Sequence, residues 1–374
     1  MTKRVLIIQR ILAPYRFRLF EILARLPHLD LALAYGKPAS ETGLESVKAP
    51  DEASYFYIHN RFLGKNERAV WSSGLMRLIT SDRFDVIIAE FNPRILSNLL
   101  ACLLGRIKGI RFIWWGHGIS PESRNSRLIT RIRLALIKWS DAVILYEDSM
   151  AVYLMDLGVP KPKLFVARNT IDTDQIGQLR ASEYPGHRFR IFYIGRLIAD
   201  KKLILLVQAF ASVVTKLPPN ARLTLVGDGP ERTRLEGEIE RLNLTDCIDL
   251  IPGTYDERQL APYFNTAWFS ITPGYVGLSV IQSLAYGIPV VTCKDEPHSP
   301  EFFALEHGVN AEIIPSDSIT ALSATMVRLT TDPDELRILH QNALKTASEW
   351  QGVDNMVASF EKAVAFVTAS DGQD

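Results

Sequence analysis

The sequence predicts an α/β protein with two domains, each built on a parallel sheet that carries helices on both faces. Short apolar runs alternate with longer helical patterns through most of the chain, as expected when helices connect parallel strands. Several of these runs lead into the next helix through a glycine-bearing turn. The length of 374 residues corresponds to two domains at ~150 residues each.

The first half of the chain shows this alternation clearly. Its apolar runs predict buried strands at Val5–Ile8, Leu31–Tyr35, Val86–Ala89, Arg111–Trp115, Ala142–Leu145 and Leu164–Val166. Helical patterns fall between them, near Arg16–Leu26, Ala69–Ser81, Ile95–Ile107, Ser126–Trp139 and Ser149–Leu157. We therefore expect a first domain over residues 1–175.

A polar segment, Ile176–Arg188, lacks periodicity and contains Tyr184-Pro185-Gly186, which predicts an interdomain linker. The second domain is expected over residues 189–350, and a last helical pattern covers Val353–Thr368. Strands of the second domain are predicted at Ile191–Ile194, Ala221–Val226, Ala267–Ile271 and Val290–Thr292, with helices at Leu203–Val214 and Ser279–Tyr286.

Composition narrows the class of protein. Lys+Arg and Asp+Glu number 42 each, so no field of one sign favours nucleic acid. The three cysteines, Cys102, Cys247 and Cys293, form no zinc pattern, and their odd number argues against a disulfide framework. The start, MTKRVLIIQR, predicts a strand rather than a signal peptide. Ile95–Leu104 is only about half of the ~20 residues that span a bilayer, so we expect a cytoplasmic protein.

The stretch FSITPGYVGLSVIQSLAYGIPVVTCKD, residues 269–295, predicts a β-α-β unit with a phosphate-binding turn. Its helix ends at Gly287, and Ser279 is expected to cap its start, with Gln282 completing a capping box. The free N–H groups and positive dipole end of such a helix bind phosphate well. The alternative is that any β-α-β crossover needs a turn of this kind.

A second stretch, FRIFYIGRLIADKK, strengthens the phosphate interpretation. Its strand ends at Gly195, and Arg196 follows at the carboxyl edge of the sheet, where ligands collect in α/β proteins. Lys201 and Lys202 precede the next helix, where a positive charge opposes the dipole unless an anion compensates it. A third turn, Gly227-Asp228-Gly229-Pro230, also connects a strand to a helix.

The motifs GRLIADKK, LVGDGPE and PGYVGLSVIQSLAYGIPVV, in this order and spacing, resemble those of retaining GT-B glycosyltransferases of the family 4 (group 1) class. The resemblance covers nearly the whole chain and is strongest across residues 189–315. It implies two Rossmann-like domains whose sheets face each other across a cleft, with the C-terminal helix crossing back to the first. Similar proteins build bacterial surface polysaccharides.

The resemblance implies that the second domain binds a nucleotide-diphosphate sugar and the first domain an acceptor. The diphosphate would lie against Arg196 and Lys201, which would stabilise the charge that develops on it and are therefore expected to be catalytic. The expected donor-binding positions are Gly195, Asp228, Pro252, Gly253, Tyr275, Val276, Gly277, Leu278, Ser279, Gln282 and Glu301.

Three positions depart from the family pattern. Two family glutamates, eight residues apart, fall here on Gly274 and Gln282. The first touches hydroxyls of the donor sugar, whereas Gly274 offers only backbone. The second holds the ribose hydroxyls, and Gln282 keeps an acceptor while adding a donor and losing the charge. Lys202 replaces a usual glycine, and Glu301 either supplies a lost sugar contact or caps the helix behind it.

In the first domain, His117 is the principal candidate and the third expected catalytic residue. It lies in WWGHG after a predicted strand, where flanking glycines let a ligand approach the backbone. In similar enzymes a histidine of this loop faces the donor sugar, and the alternative is a histidine that caps the following segment. Trp114 and Trp115 are expected in the core or the cleft wall.

Weaker candidates lie at the same predicted sheet edge. Tyr15, Arg16 and Asn92 are candidate acceptor contacts because each follows a strand, as does Glu90. The alternative for each is an ordinary capping or surface residue. Asp172 matches a family segment and is expected to be structural.

One predicted helix carries a basic face made of Arg124, Arg127, Arg131 and Lys138, with Arg133 off that face. Such a run is commonly a solvated helix face. The functional alternative is docking onto an anionic membrane surface, at ~1 kcal/mol per basic residue. Peripheral docking on the inner membrane would suit an acceptor carried on a polyprenyl diphosphate.

The expected reaction is metal-independent, because no Asp-x-Asp motif follows a predicted strand and two cations are available in its place. No cofactor is expected beyond the co-substrate, a UDP- or GDP-linked sugar. The sugar would pass, with retention, to a saccharide or lipid-linked saccharide in bacterial polysaccharide biosynthesis. Two alternatives stay open: another GT-B enzyme such as a nucleotide-sugar epimerase or phosphorylase, and a non-catalytic relative that binds nucleotide sugar or a partner transferase.

Overall fold

The computed structural model describes residues 2–37, 48–63, 69–119, 126–181, 187–350 and 352–369. The chain forms two compact units, one made of Met1–Asn169 with Val353–Asp374 and the other of Thr170–Gly352. Each unit is built around one parallel sheet, of seven strands in the first and six in the second. The predicted α/β class with two parallel sheets is confirmed.

The first unit places its apolar runs in a sheet of strand order β3-β2-β1-β6-β7-β8-β9, beside a separate antiparallel pair, β4-β5. The strands are β1 (Lys3–Ile11), β2 (Leu29–Gly36), β3 (Ser54–Tyr57), β4 (His59–Leu63), β5 (Ala69–Ser73), β6 (Val86–Glu90), β7 (Arg111–Gly116), β8 (Ala142–Leu145) and β9 (Leu164–Val166). The helices are α1 (Phe17–Arg25), α2 (Leu75–Ser81), α3 (Leu96–Ile107), α4 (Arg127–Trp139), α5 (Asp148–Asp156) and α13 (Val353–Ala369).

Both faces of this first sheet are buried, which explains why its strands are almost continuously apolar. Val5 and Ile7 belong to the core on one face, and Leu6 and Ile8 to the core on the other. The C-terminal helix α13 supplies side chains to the first of these cores, and the ring of Phe360 meets Trp115 edge-on at 4.8 Å. Residues 353–369 are thus part of the first unit.

The second unit has the strand order β12-β11-β10-β13-β14-β15. Its strands are β10 (Arg190–Ile194), β11 (Arg222–Val226), β12 (Ile248–Ile251), β13 (Ala267–Thr272), β14 (Val290–Cys293) and β15 (Ala311–Ile314). Its helices are α6 (Thr173–Leu179), α7 (Leu203–Ala211), α8 (Arg232–Arg241), α9 (Glu257–Asn265), α10 (Ser279–Ala285), α11 (Ile319–Thr331) and α12 (Pro333–Glu349).

This strand order creates a crevice at one point of the second sheet. The chain moves outward from β10 to β12 and then returns to the other side of β10 with β13. The connections that leave β10 and β13 therefore diverge, and ligands of open α/β sheets bind between them at the carboxyl ends of the strands. Arg196 follows β10, and the turn 273–277 follows β13, so both flank this point.

The predicted linker over Ile176–Arg188 is wrong in its first part. Helix α6 occupies Thr173–Leu179 and belongs to the second unit, and Asp172 caps it by accepting a hydrogen bond from Gln175 N at 3.0 Å. Ile176 anchors the helix and is fully buried. The boundary of the first unit therefore falls at Asn169 rather than at residue 175, and residues 182–186 lie outside the described ranges.

The predicted helix over Ala69–Ser81 is also wrong in its first half. Residues 69–73 form β5, which pairs antiparallel with β4, and only residues 75–81 are helical. Gly74 separates the two elements with φ of +90°, a conformation that favours glycine. Across the described residues, no helix combines the length and the apolar character needed to cross a membrane.

Candidate functional site

The loops that follow β10 and β11 touch through their backbones. Gly195 N donates to Val226 O at 3.0 Å, and Leu197 N donates to Asp228 O at 2.8 Å. A Cβ on Gly227 would lie 1.9 Å from Gly195 O, so this approach requires glycine at residue 227. The close contact brings the turns of the two predicted phosphate-type stretches to one place on the sheet edge.

Asp228 connects this pair of loops to the loop after β12. Its Oδ2 accepts a hydrogen bond from Gly253 N at 2.6 Å, and Pro252 precedes that residue at the exposed edge. Three of the predicted donor-binding positions, Gly195, Asp228 and Gly253, are therefore adjacent. Their role in binding a nucleotide stays a prediction.

Gly274 is required by the packing of the loop after β13 against the loop after β10. Tyr275 N donates to Asp200 O at 2.9 Å, and a Cβ on Gly274 would lie 1.9 Å from that same carbonyl oxygen. The contact is with backbone, which cannot move aside as a side chain could. A glutamate at this position, as in the family pattern, would push the two loops apart.

Lys201 is buried beneath this contact, with only 7% of its surface exposed. Its Nζ donates to Tyr275 O at 2.5 Å and lies 4.7 Å from the centre of the Tyr275 ring. Burial, followed by the nearby charge of Arg196, lowers the pKa of Lys201 to about 8, although Asp200 and Glu301 oppose the shift. The ammonium is therefore poorly compensated.

Arg196 lies exposed beside this lysine, where Tyr193 OH fixes its backbone by donating to Arg196 O at 2.8 Å. Within the described ranges, neither Arg196 nor Lys201 forms a salt bridge. Two neighbouring cations without an ion-pair partner repel each other. An anion bound between them would relieve that repulsion.

Lys202 differs from Lys201 because protein carboxylates already neutralise it. Its Nζ donates to Glu296 Oε1 at 2.6 Å and to Asp317 Oδ1 at 2.8 Å. The expectation that Lys202 calls for a bound anion is therefore wrong. Lys202 has φ of +54°, which explains the usual glycine in the family: the position is left-handed, and here the two ion pairs hold a lysine in it.

The start of α10 leaves backbone donors open. The N–H groups of Gly277, Leu278 and Ser279 have no hydrogen-bond partner among the described residues. The prediction that Ser279 caps this helix is wrong, because Ser279 is its first helical residue and its side chain caps nothing. These open groups lie next to Tyr275, whose carbonyl holds Lys201.

The turn before α10 is held by a histidine that the sequence reading passed over. Val276 N donates to His298 Nδ1 at 3.2 Å, and His298 Nε2 lies 2.7 Å from Cys293 O. Because a carbonyl only accepts, Nε2 carries the proton and the ring is neutral. The ring also stacks on Phe302 at 4.2 Å. The polar run His298-Ser299-Pro300-Glu301 after a strand was the available signal.

Ser299 and Glu301 complete the support of this turn. Ser299 Oγ lies 2.9 Å from Val276 O and 2.5 Å from Glu301 Oε2. Glu301 is 2% exposed in a short 3₁₀ segment over Pro300–Ala304. Val276 is thus a backbone anchor whose N–H and carbonyl are both engaged by the protein, and Glu301 lies behind the turn.

Gln282 does not form the predicted capping box, because its side chain reaches another helix. Gln282 Nε2 donates to Glu257 Oε1 at 2.6 Å, and Tyr286 OH donates to Glu257 Oε2 at 3.0 Å. Burial raises the pKa of Glu257, while the hydrogen bonds from Tyr286 and Gln282 oppose that shift. Sequence reasoning missed Glu257, which begins α9 without any motif.

In the first unit, His117 is exposed after β7 and belongs to an aromatic cluster. Its ring meets Tyr146 edge-on at 4.8 Å, and Tyr146 OH accepts from an Arg16 guanidinium nitrogen at 2.7 Å. That guanidinium lies 4.4 Å from the centre of the Trp115 ring. Trp114 and Trp115 are 0% and 1% exposed, so both are core residues.

Two of the acceptor candidates have internal partners. Arg16 also donates to Gln9 Oε1, and although burial opposes its ionisation, Tyr146, Tyr15 and Glu90 raise its pKa. Asn92 Oδ1 accepts from Arg94 N at 3.1 Å, as in an ordinary turn. Acceptor binding by Tyr15, Arg16 and Asn92 stays a prediction, as does sugar binding by His117.

The fold and the cation-bearing edge define an α/β protein of the nucleotide-sugar-transferase type, and comparison with known families agrees. A model named Glycosyltransferase Family 4 matches residues 31–175, and one named Glycosyl transferases group 1 matches residues 177–346. The chain therefore belongs to the family 4 (group 1) glycosyltransferases.

Similar proteins include an uncharacterised glycosyltransferase of Methanocaldococcus jannaschii, 24% identical over 60% of this chain and 59% of that protein. A second is the N-acetylgalactosamine-N,N′-diacetylbacillosaminyl-diphospho-undecaprenol 4-alpha-N-acetylgalactosaminyltransferase of Campylobacter jejuni, 26% identical over 52% of each chain. The matches thus span little more than half of these relatives. The structure of Anabaena HepE in complex with UDP aligns with 98% of this chain and 100% of its own, at TM-score 0.69 and 17% identity. The GT-B fold class is confirmed.

Adding a methyl group at Gly274 tests the contact between the two loops. We expect Gly274→Ala to lower the free energy of unfolding by ~1–3 kcal/mol, because its Cβ cannot be placed without backbone movement. Gly177→Ala is the matched control, since nothing lies within 4 Å of its Cβ and alanine stabilises a helix by ~1 kcal/mol over glycine. Urea unfolding of both variants measures the difference, and equal stability would contradict the proposed packing.

The neutral His298 ring predicts a pH dependence. Burial lowers the pKa of His298 below its ordinary 6.5, so the ring's contribution to stability is complete above pH 6.5 and is lost as the pH falls through the lowered pKa. Protonation removes the acceptor for Val276 N, at ~1 kcal/mol. His298→Asn keeps an acceptor that does not titrate. The difference in melting temperature between wild type and this variant should change with acidification, and parallel curves would refute the assignment.

Proposed function

We propose that this protein transfers a sugar, with retention, from a nucleotide-diphosphate sugar to a saccharide or lipid-linked saccharide. Bacterial polysaccharide biosynthesis is the proposed setting. The observation that carries the proposal is the cation pair Arg196 and Lys201 beside the open N–H groups at the start of α10. Both flank the point of the sheet where α/β proteins bind ligands. A diphosphate has the charge and the acceptor oxygens that such a place requires.

The chemistry follows from where the charge develops. As the bond between the anomeric carbon and the diphosphate breaks, its electron pair passes to the leaving oxygen. The acceptor hydroxyl forms the new bond on the same face and gives its proton to the leaving phosphate. Fixed cations and N–H groups directed at that oxygen lower the barrier, and one such donor is worth ~3 kcal/mol. No metal is needed in this scheme, because Arg196 and Lys201 supply the positive charge.

Lys201 suits this role because its charge is held in reserve. An incoming phosphate would raise its pKa from about 8 and so favour the ammonium form. His117 is proposed to contact the donor sugar, and Tyr15, Arg16 and Asn92 the acceptor, on the family resemblance. HepE, crystallised with UDP, supports a UDP-linked donor, with a GDP-linked donor as the alternative. The Campylobacter relative, whose name contains diphospho-undecaprenol, supports a lipid-linked acceptor.

A non-catalytic nucleotide-sugar binder is the second candidate, favoured only by Gly274 at the position of a family glutamate. Loss of a sugar-contacting carboxylate would leave nucleotide binding intact. Sugar transfer or donor hydrolysis by the purified protein would exclude this candidate. An epimerase or phosphorylase would be recognised in the same assay by its different product.

Peripheral docking on a membrane is part of the proposal and rests on α3 and α4. Arg127, Arg131 and Lys138 are exposed on α4, whereas Arg124 lies outside the described ranges. Beside them runs an exposed apolar stripe that includes Leu128, at 67% exposure, and Ile132. Neither helix contains an acidic residue. An apolar stripe flanked by cations fits the surface of an anionic bilayer.

The two helices form one continuous surface. An Arg106 guanidinium nitrogen of α3 donates to Trp139 O of α4 at 2.6 Å, and the guanidinium lies 5.6 Å from the centre of the Trp139 ring. Leu103 and Ile107, the latter 71% exposed, extend the apolar area on α3. Arg133 is turned inward and donates to Gly118 O. Scattered exposed hydrophobics need no explanation, but a contiguous patch of this kind does.

Nucleotide binding is the first test of the donor proposal. One of UDP, GDP, ADP, dTDP or CMP should raise the melting temperature equally with and without EDTA. Arg196→Ala or Lys201→Ala should weaken that binding at least ~10-fold by calorimetry, since each removes a charged hydrogen bond. Lys202→Gly is the matched control: it also removes a lysine, but one already paired with Glu296 and Asp317. Unchanged binding in the Arg196→Ala/Lys201→Ala double variant would sink the mechanism.

Vesicle sedimentation tests the membrane proposal. The wild type should bind vesicles containing anionic lipid and not neutral ones, more weakly at high salt. Replacing Arg127, Arg131 and Lys138 by glutamine should reduce binding by ~10-fold or more, at ~1 kcal/mol each. A control variant removes equal charge at exposed Arg234, Arg337 and Lys345. Equal loss in both variants would mean that only net charge matters.

A further inference from the structure

Glu257 and Gln282 meet at the carboxyl edge of the second sheet from two different helices. Glu257 is the first residue of α9, which follows β12 after a short loop, and Gln282 lies in the first turns of α10, after β13. Both helices therefore begin at the edge where the candidate site lies. The pairing could not be foreseen from spacing, because the two residues are 25 positions apart.

A buried tyrosine fixes the carboxylate of this pair. Tyr286 is 1% exposed, and its ring stacks on Phe264 at 4.3 Å and 5°. Its hydroxyl donates to Glu257 Oε2 at 3.0 Å, which leaves Oε1 directed at Gln282. The position of Glu257 is thus set by packing that does not depend on Gln282.

The carboxylate in turn fixes which way the Gln282 amide points. An ionised carboxylate only accepts hydrogen bonds, so the NH₂ group of Gln282 must face it, at 2.6 Å. The amide oxygen, Oε1, then points away from Glu257 and has no hydrogen-bond partner among the residues that the structure describes. Residue 282 therefore presents a single uncharged acceptor in one defined orientation.

The identities of the two residues depend on each other. A glutamate at 282 would bring a second carboxylate to a place where atoms now lie 2.6 Å apart, and like charges at that separation repel strongly. Glutamine at 282 avoids the repulsion and gains a charge-assisted hydrogen bond. The carboxylate is present at this edge, but one residue further from the ligand.

We infer that Glu257 is a positioning residue that holds the Gln282 carbonyl as the acceptor for the ribose hydroxyls of the donor nucleotide. The inference rests on the proposed function, because it assumes a nucleotide at this edge. A hydroxyl can donate to a fixed carbonyl oxygen, whereas a hydrogen at the same carbon cannot. The pair should therefore distinguish ribose from 2′-deoxyribose.

An exchange of the two side chains tests this inference. The variants are Glu257→Gln, Gln282→Glu and the double variant that carries both changes. For each, calorimetry measures the dissociation constant of the diphosphate that the wild type binds and of its 2′-deoxy counterpart, and thermal melting measures the stability of the free protein. Glu349→Gln, at an exposed end of α12, makes the same charge change as a control.

Each single variant should lose about tenfold in nucleotide affinity, the equivalent of one well-oriented hydrogen bond. Glu257→Gln should also reduce discrimination against the 2′-deoxy nucleotide, which a purely structural role would leave unchanged. The double variant should recover most of both losses, because the amide introduced at position 257 can then donate to the carboxylate introduced at position 282. The Glu349→Gln control should match the wild type.

Additive losses in the double variant would overturn the inference, as would unchanged 2′-deoxy discrimination in Glu257→Gln. Tight binding by Gln282→Glu would also overturn it. If the wild type binds no nucleotide, the proposed function fails first, and the inference fails with it. If the wild type binds but the exchange shows no coupling, only the role of Glu257 is wrong.

Discussion

The site depends on the close approach of backbone segments at the carboxyl edge of the second sheet. Gly227 lets the loop after β11 touch the loop after β10, and Gly274 lets the loop after β13 touch it from the other side. Backbone atoms carry both contacts, so side-chain rearrangement cannot relieve them. The loops after three strands thus form one rigid layer, and the positions of Arg196 and Lys201 are set by that layer.

The same packing explains the electrostatics. Lys201 is buried because the turn at Gly274 closes over it, and its partner is a carbonyl oxygen rather than a carboxylate. Burial of a charge without an ion pair is costly, which lowers its pKa. One residue on, Lys202 leaves the layer, and Glu296 and Asp317 neutralise it. Two consecutive lysines therefore have opposite roles, one open to a ligand and the other structural.

Most of the fold could be predicted from sequence because buried parallel strands are continuously apolar and their boundaries are marked by glycine or proline. Predictions failed where local pattern was ambiguous, as at Ala69–Ser81, where Gly74 divides a strand from a helix. The site was predictable where a motif carried it, at Arg196 and Lys201. It was not predictable at His298 or Glu257, since each acts through a partner more than twenty residues away.

The departures from the family pattern are better explained as one altered arrangement than as decay of a site. Gly274 is needed by the packing against Asp200, and Lys202 is held in its left-handed conformation by two carboxylates. Gln282 is matched to Glu257, which would repel a glutamate there. Random loss of function would not leave each altered residue with a specific partner. The consistent pairing argues that selection still acts on this edge, and that the altered residues adapt the site to a particular ligand.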